Sequence, residues 1–458
     1  MNQDLSLYVH IPFCVKKCLY CDFLSAPAPE EVQERYLAKL CEEVRRKAPR
    51  FQEYRVRTVF FGGGTPTAVK PESLCRVLGT IREVFSVDSD AEISLECNPG
   101  TASQEALREY RRAGFNRISI GLQSADEELL KALGRIHTYE QFLQTYGWAR
   151  EAGFENINVD LMSALPGQTP EQYEDTLYRV LALKPEHISA YSLIVEEGTP
   201  FASMELDLPT EEVDRLMYQR TEEILKGFGY ERYEISNYAL PGRECRHNLV
   251  YWQRGAYLGL GLGAASFYDH IRYKNISDLS VYLGESRPEK ESGGTGRVVI
   301  RDIKGQKDES VEGCSTKAAG GGKEGGDHGK QDCKREGKFE EQGEGSRSSE
   351  KEGKYDGQRK ESTDERKEEY EEKYEEKEAL TPGEEMEEFF FLGLRLMRGV
   401  SQSAFHAQFG EDKLRQFEGA IESSVADGLM ERTADGDGLR LTRRGIDLSN
   451  TVFVRFLE

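Results

Sequence analysis

The sequence contains no apolar run of the about 18 residues that a membrane-spanning helix needs, which excludes an integral membrane protein. Its first residues, MNQDLSLYVHIPFC, lack the basic stretch followed by an apolar one that marks a secretory signal. Basic residues are also scarce, with 61 Lys and Arg against 82 Asp and Glu and a net charge of −21. Because phosphate binding needs clustered cations, this balance excludes nucleic acid as a bulk partner. We expect a cytoplasmic protein.

A second CxxC motif is also missing, although the chain contains nine cysteines. Without an export signal, reduced thiols or metal ligands are expected and not disulfides. Cys14, Cys18 and Cys21 stand as CVKKCLYC directly after the first predicted strand. A structural zinc site normally takes four ligands, whereas three thiolates suit a [4Fe–4S] cluster that keeps one iron open. The spacing favours the cluster, and a metal that only stabilises the fold is the alternative.

Apolar residues nearly disappear between residues 291 and 380. This tract holds 16 Gly and 44 charged residues among 90, with only seven Val, Ile, Leu, Phe or Met. So little apolar surface does not offset the entropy of ordering the chain, which predicts a disordered insertion. Near its end, ERKEEYEEKYEEKEAL has the composition of a solvated charged helix.

Before this tract, short β-branched or aromatic segments alternate with segments of helical period. The six strand-like segments are LSLYVHIPF, TVFFGGG, AEISLECNP, RISIGLQS, NINVDLMSALP and HISAYSLIV. Such alternation predicts an α/β fold with a parallel sheet and crossover helices, as an open sheet or a partial (βα)6 barrel. After the tract, three helices and a hairpin predict a small α+β, winged-helix-like domain. The predicted divisions are 1–230 (barrel), 231–290 (barrel extension), 291–380 (insertion) and 381–458 (C-terminal domain).

Polar residues follow the predicted strands at their carboxyl ends, where ligands gather in parallel α/β folds. Gly62–Gly64 and Thr65 follow the second strand, and consecutive glycines allow backbone amides to approach a ligand. Glu96 and Gln123 end the third and fourth strands, and Asp160 lies within the fifth. A carboxylate in such an apolar strand needs a partner or serves a ligand. Four converging strand ends indicate a ligand site.

The CX3CX2C spacing, followed by a glycine-rich loop after the second strand, resembles the radical S-adenosylmethionine (SAM) superfamily. More narrowly, YVHIPFC, FFGGGTPT, SIGLQS, DLMSALPGQT and RHNLVYW are similar to the oxygen-independent coproporphyrinogen oxidase family, in particular its HemW haem-chaperone branch. The resemblance implies a radical-SAM barrel with SAM on the open iron, where an electron from the cluster cleaves the sulfonium to a 5′-deoxyadenosyl radical. Carried over by position, it implies that SAM contacts Tyr8, Tyr20, Gly64, Thr65, Glu96, Gln123, Arg135 and Asp160.

Two positions separate the branches of this family. The decarboxylating branch has a further cysteine two residues after the last cluster ligand, where this chain has Phe23. The chaperone branch carries an HNxxYW pattern, present here as His247–Trp252. The resemblance therefore implies haem contact at His247, because imidazole is a good axial ligand for haem iron. The alternative is a buried histidine held by hydrogen bonds, with Trp252 as ordinary core.

The resemblance predicts a haem chaperone with three cofactors: a [4Fe–4S] cluster, SAM and haem. It implies delivery of haem to an acceptor, such as a respiratory haem protein in a membrane. The alternative function is oxidative decarboxylation of coproporphyrinogen III to protoporphyrinogen IX. For SAM the two alternatives are cleavage and binding alone.

Overall fold

The computed structural model describes residues 3–285 and 374–457. Its first half alternates strands and helices as the sequence predicts. The six strands are β1 (Gln3–Ile11), β2 (Tyr54–Gly63), β3 (Val87–Cys97), β4 (Arg117–Gln123), β5 (Ile157–Ser163) and β6 (His187–Ser192). The helices between and after them are α1 (Glu30–Lys47), α2 (Pro71–Val84), α3 (Gln104–Ala113), α4 (Glu127–Ala132), α5 (Tyr139–Glu151), α6 (Pro170–Leu181) and α7 (Glu211–Gly227).

Local sequence signals explain where several helices begin and end. Thr138 caps α5 and Thr169 caps α6, each in a capping box with the glutamine three residues later. Helix α3 ends at Gly114, whose φ of 105° is in the left-handed region that glycine adopts without a Cβ clash. These caps return the chain to the start of the next strand.

Strands β1 to β6 pair in parallel and in sequence order. This confirms the predicted partial (βα)6 barrel. All six strands run in one direction, so their carboxyl ends lie at one edge of the sheet. On β4, successive side chains alternate between an outer apolar face and an inner face that carries Arg117, Ser119 and Gly121. Every residue of β4 is buried, as expected for a central strand covered on both sides.

Further strands extend the sheet at both edges. The elements after α7 are β7 (Glu231–Glu234), β8 (Asn237–Ala239), α8 (Arg246–Trp252), β9 (Tyr257–Leu260), β10 (Ala265–Tyr268), β11 (Ile271–Asn275) and α9 (Leu279–Leu283). Strand β8 pairs with β6, and β9 pairs in parallel with β1. The buried ion pair of Glu43 with Lys47 on α1 binds Asn275 of β11, which fixes this extension to the barrel.

The predicted disorder is wrong at the end of the charged tract. Tyr374–Ala379 forms a strand, β12, which pairs antiparallel with β11. The charged-helix interpretation is therefore also wrong for these residues. Tyr273 of β11 and Tyr374 pack with ring centroids 4.8 Å apart, so the partner strand supplies apolar contact that the segment's own composition lacks. The predicted disorder of the preceding residues, from 291, falls outside the described part of the chain.

The C-terminal region has its own apolar core, which includes Phe390, Phe405, Phe417 and Phe456. Its elements are α10 (Pro382–Gly393), β13 (Val400–Ser401), α11 (Gln402–Phe409), α12 (Glu418–Ala426), β14 (Met430–Arg432), β15 (Gly438–Leu441), α13 (Arg443–Asp447) and α14 (Ser449–Val454). The three strands form one small sheet in the order β13–β15–β14. These elements agree with the predicted small α+β domain.

The C-terminal region packs against the barrel extension through buried charges. Glu388 of α10 forms ion pairs with Arg254 and Arg272. The described residues belong to one compact unit, so the predicted divisions at 230 and 290 stay a prediction. No helix in the described ranges has the length and apolarity needed to cross a membrane.

Candidate cofactor site at the carboxyl ends of the strands

The three cysteines lie on the loop between β1 and α1, and all three thiols are half-buried. The Cys14 amide donates to the Ala26 carbonyl at 3.2 Å, which closes the loop at its base. The Leu19 amide donates to the Leu133 carbonyl at 3.0 Å, which ties the loop to the end of α4. The cysteines therefore face the carboxyl ends of the strands, as their spacing predicts.

The number of these thiols fits a cluster better than a single ion. A structural zinc ion normally takes four protein ligands. A [4Fe–4S] cube bound by three thiolates keeps one iron open. The donor set therefore fits the cube.

A cavity opens beside the cysteine loop. Of the eight residues that the resemblance assigns to SAM, seven line it: Tyr20, Gly64, Thr65, Glu96, Gln123, Arg135 and Asp160. Tyr8 is absent from this lining. Its hydroxyl is 3.1 Å from His10 Nδ1, one layer deeper in the barrel. The structure thus brings the predicted strand-end residues together around one space next to the three thiols.

Arg135 lies in the loop after α4 and turns its side chain into the cavity. Its guanidinium donates to the Asn98 side-chain oxygen at 2.9 Å and to the Gly121 carbonyl, and approaches Cys18 Sγ at 3.6 Å. Its Nε is buried and has no acceptor among the described residues. A buried donor without an acceptor is costly, and a ligand carboxylate would satisfy it. This unmet donor fits the carboxylate of SAM.

The glycine-rich loop does not present free amides, contrary to the expectation. The amides of Gly63, Gly64 and Thr65 donate to Glu96, to the Ile11 carbonyl and to the Phe13 carbonyl, respectively. The glycines are required for another reason. A Cβ on Gly63 would lie 2.4 Å from the His10 ring, and one on Gly64 would lie 2.6 Å from the Phe13 carbonyl. Glycine here lets the β2 loop pack directly on the β1 strand and its cysteine loop.

Glu96 and Asp160 form a pair of carboxyl groups at the opposite wall. Burial, followed by the charge of Asp160, raises the pKa of Glu96 to about 8. Burial also raises the pKa of Asp160, although Asn158 and Ser119 donate to it. A cation placed between these groups would lower both pKa values. The wall therefore suits the positive sulfonium or ammonium of SAM.

Several further lining residues were not predicted from the sequence, among them Asn98, Ser119 and Gly121. Asn98 connects Arg135 to Thr65, because its amide also donates to the Thr65 hydroxyl at 2.7 Å. Ser119 shares the inner face of β4 with Gly121 and is a donor to Asp160. Asn98 could have been predicted from the sequence, because it stands two residues after Glu96 at the same strand end.

Tyr20 and Gln123 complete the cavity. Tyr20 stands between two of the cysteines and packs on Phe201, with ring centroids 6.5 Å apart. Gln123 has a φ of 71°, a left-handed conformation that non-glycine residues rarely adopt. Such backbone strain persists only where the surrounding structure imposes it, and it often marks functional sites. Both residues line the cavity, and their contact with SAM stays a prediction.

His247 is not among the residues that line this cavity. It lies in the first turn of α8, is 1% exposed and stacks on Phe60 with ring centroids 5.1 Å apart. Its Nδ1 lies 2.7 Å from the Thr58 hydroxyl and its Nε2 lies 2.9 Å from the Tyr251 hydroxyl. Burial lowers the pKa of His247 to about 3, so the ring is neutral. Haem contact at His247 stays a prediction, and ligation of iron would first require one of these hydrogen bonds to break.

Comparison with known proteins shows which family the chain belongs to. The radical SAM superfamily model matches residues 8–180, and the HemN C-terminal domain model matches residues 380–448. Heme chaperone HemW of Lactococcus lactis is 39% identical over 294 residues, which cover 63% of this chain and 76% of that protein. Heme chaperone HemW of Escherichia coli is 41% identical over 261 residues, which cover 57% and 69%. The chain belongs to the HemW family.

A solved structure supports the fold of this HemW-family chain. Coproporphyrinogen III oxidase (HemN) from Escherichia coli, described as a radical SAM enzyme, matches with a TM-score of 0.72. The match covers 99% of this chain and 90% of that chain at 23% sequence identity. It confirms the predicted radical-SAM barrel with a small C-terminal domain. The superfamily implies a [4Fe–4S] cluster and SAM, and the thiols, the Arg135 donor and the carboxyl wall fit both.

Proposed function

We propose that this protein is a haem chaperone that holds a [4Fe–4S] cluster and SAM at the barrel mouth and delivers haem to an acceptor protein. The observation that carries the proposal is the similarity to curated heme chaperones HemW, at 38–41% identity in four bacterial relatives. The HNxxYW pattern at His247–Trp252 supports it. We place this function in the cytoplasm, where the thiols stay reduced.

Residues of this chain have distinct roles in the proposed site. Cys14, Cys18 and Cys21 hold the cluster, which leaves one iron open to bind SAM. Arg135 donates to the SAM carboxylate through its unmet Nε, and Asn98 holds the guanidinium in place. Glu96 and Asp160 would face the positive groups of SAM, whose charge would lower the raised pKa of each carboxyl group. Thr65 positions the loop, because its hydroxyl contacts both Cys14 and Asn98.

Coproporphyrinogen III oxidation is the alternative function. The position that carries a cysteine in the decarboxylating branch is Phe23 in this chain. Phe23 lines the cavity and is 59% exposed, so its side chain offers an apolar face where that branch has a thiol. This observation favours the chaperone.

A haem-transfer experiment tests the proposal. The full chain is reconstituted anaerobically with iron and sulfide, titrated with haem, separated from free haem, and mixed with an apo-form respiratory haem protein. We expect a stable Soret band that then moves to the acceptor. Formation of protoporphyrinogen from coproporphyrinogen III, with SAM and a reductant, would instead establish the oxidase.

The role of His247 is tested in the same assay. If His247 ligates haem, H247A shifts the Soret maximum and weakens haem binding, while cluster content stays unchanged. Identical Soret spectra in the wild type and the variant would remove His247 from the haem site. Y251F is the matched control, because it removes one hydrogen bond to the ring without removing the imidazole.

A further inference from the structure

The inner face of the barrel carries two buried donors that have no acceptor. Arg117 of β4 is 2% exposed and Ser94 of β3 is 0% exposed. Within the described residues, neither Arg117 Nε nor Ser94 Oγ has a hydrogen-bond partner, and Arg117 forms no ion pair. A buried cation without an ion pair is expensive, since its lost hydration is not replaced.

These two donors are neighbours. Ser94 and Arg117 are register partners in the parallel pair of β3 and β4, so their side chains project from adjacent positions on the same face. That face is the inner one, because Ser119 and Gly121, two and four residues after Arg117, line the cofactor cavity. The pair therefore lies deeper in the barrel than the SAM site, by about 7 Å per two residues of strand.

The nearby carboxylates are engaged elsewhere. Glu92 accepts from the amides of Arg246 and His247 at 3.0 and 3.1 Å. Asp160 accepts from Ser119 and Asn158. Their charges stabilise the Arg117 cation from a distance, but they leave its Nε without an acceptor.

Two aromatic side chains lie in the same row of the sheet as this pair. Tyr8 of β1 pairs with Phe60 of β2, and Phe60 pairs with Ser94 of β3. The two rings stack with centroids 6.3 Å apart, and both side chains are partly accessible. The inner face of the barrel therefore presents an apolar surface beside the two unmet donors.

We propose that Arg117 and Ser94 bind one carboxylate of an aromatic ligand that enters the barrel below the SAM cavity. The two carboxylate oxygens accept from Arg117 Nε and Ser94 Oγ, so both unmet donors are satisfied. This inference deepens the proposed function, on which it rests for one point: the carboxylate is a propionate of haem. A smaller aromatic carboxylate has the same recognition chemistry.

The first test compares haem with its dimethyl ester, whose propionates carry no charge. Both are titrated into the full, cluster-reconstituted wild type and into R117M. We expect R117M to weaken haem binding by about 10- to 100-fold, as for a lost charged hydrogen bond, and to leave ester binding unchanged. R398M is the matched control, because Arg398 is exposed in a separate groove beside Trp252. Weakening by R398M with no effect of R117M would move haem to that groove and overturn the inference for porphyrins.

The second test does not depend on haem. We expect 3-phenylpropionate, but not 3-phenylpropanol, to raise the melting temperature of the wild type and not that of R117M. This result would establish the carboxylate site even if the protein bound no haem, so failure of the proposed function is distinguishable. Equal haem affinity in the wild type and R117M, together with no difference in the response to 3-phenylpropionate, would refute the site.

The melting temperatures of the ligand-free variants distinguish a ligand-binding role of Arg117 and Ser94 from a purely structural one. Since Glu92 and Asp160 stabilise the Arg117 cation only from a distance, R117M should lower the melting temperature only slightly. S94A removes only an unpartnered hydroxyl and should weaken haem binding by about 3- to 10-fold without loss of stability. A large fall in melting temperature in both variants, with ligand affinity unchanged, would show that the pair only supports the fold.

Discussion

Arg135 and His247 are both buried polar side chains at positions that the family resemblance assigns to ligands, but their hydrogen bonding differs. Arg135 keeps a buried Nε without an acceptor and faces a cavity. His247 has both ring nitrogens within hydrogen-bond distance of hydroxyl groups and is 1% exposed. An unmet donor beside open space indicates a preformed site, whereas a satisfied side chain is explained by the fold alone. By this criterion Arg135 indicates a ligand site at the barrel mouth, whereas the His247 ring does not indicate one.

The largest effect expected at the barrel mouth is loss of the cluster. Replacement of Cys14, Cys18 or Cys21 by alanine removes one thiolate, and two remaining ligands do not hold the cube. Iron and sulfide content after anaerobic reconstitution should fall from about four per chain to near zero. C75A is the control, because Cys75 is a half-buried thiol on α2, away from the loop. Full cluster content in C18A would show that the loop does not supply the ligands.

The next largest effect is expected at Arg135, whose Nε has no acceptor among the described residues. R135Q removes the charge that the SAM carboxylate pairs with, and SAM affinity should fall by about 10- to 100-fold. Equilibrium binding to the reconstituted protein measures it, with cluster absorbance as a check on folding. R112Q, in an exposed arginine at the end of α3, should leave affinity unchanged. Equal SAM affinity in R135Q and the wild type would show that the Arg135 guanidinium does not bind the SAM carboxylate. Its unmet donor would then not distinguish it functionally from His247.

The pH dependence of SAM affinity tests the role of the buried carboxyl group of Glu96. The raised pKa of Glu96, about 8, means that the group is protonated below pH 8 and charged above it. Only the charged form attracts the SAM cation, so affinity should rise about tenfold from pH 7 to pH 9. E96Q should flatten this rise, since its amide does not titrate. A profile that is as steep in E96Q as in the wild type would exclude Glu96 as its origin.

The smallest effects are expected around His247. T58V and Y251F each remove one hydroxyl next to the ring, and each should lower the free energy of unfolding by about 1 kcal/mol. Chemical denaturation of the cluster-free chain measures both. Unchanged stability in both variants would mean that the ring does not depend on these bonds and is more available for haem than the structure indicates.

Sequence reasoning located the strands and the cysteine loop because their signals are local. β-branched runs and turn residues define β1 to β6, and the spacing of three cysteines in eight residues needs no tertiary information. It also placed Glu96, Gln123 and Asp160 in one site, because the carboxyl ends of parallel strands meet at one edge.

Other features depend on packing that the sequence does not display. The amides of Gly63 and Gly64 are used within the protein, and only the approach of β1 reveals it. Strand β12 forms because β11 offers an edge to Tyr374–Ala379, whose composition alone predicts disorder. The unmet donor of Arg117 is equally invisible, since an arginine in a strand normally finds a partner. Each of these features depends on contacts between residues that are far apart in the sequence.

Electron paramagnetic resonance of the reduced, reconstituted full chain, with and without SAM, tests whether the three thiols hold a cluster that binds SAM. We expect a [4Fe–4S]⁺ signal that changes when SAM is added, because SAM occupies the open iron beside Arg135 and Glu96. We also expect the change to be lost in R135Q at SAM concentrations that saturate the wild type. A chain that takes up zinc instead of iron and sulfide, or a cluster signal that SAM leaves unaltered, would contradict these expectations.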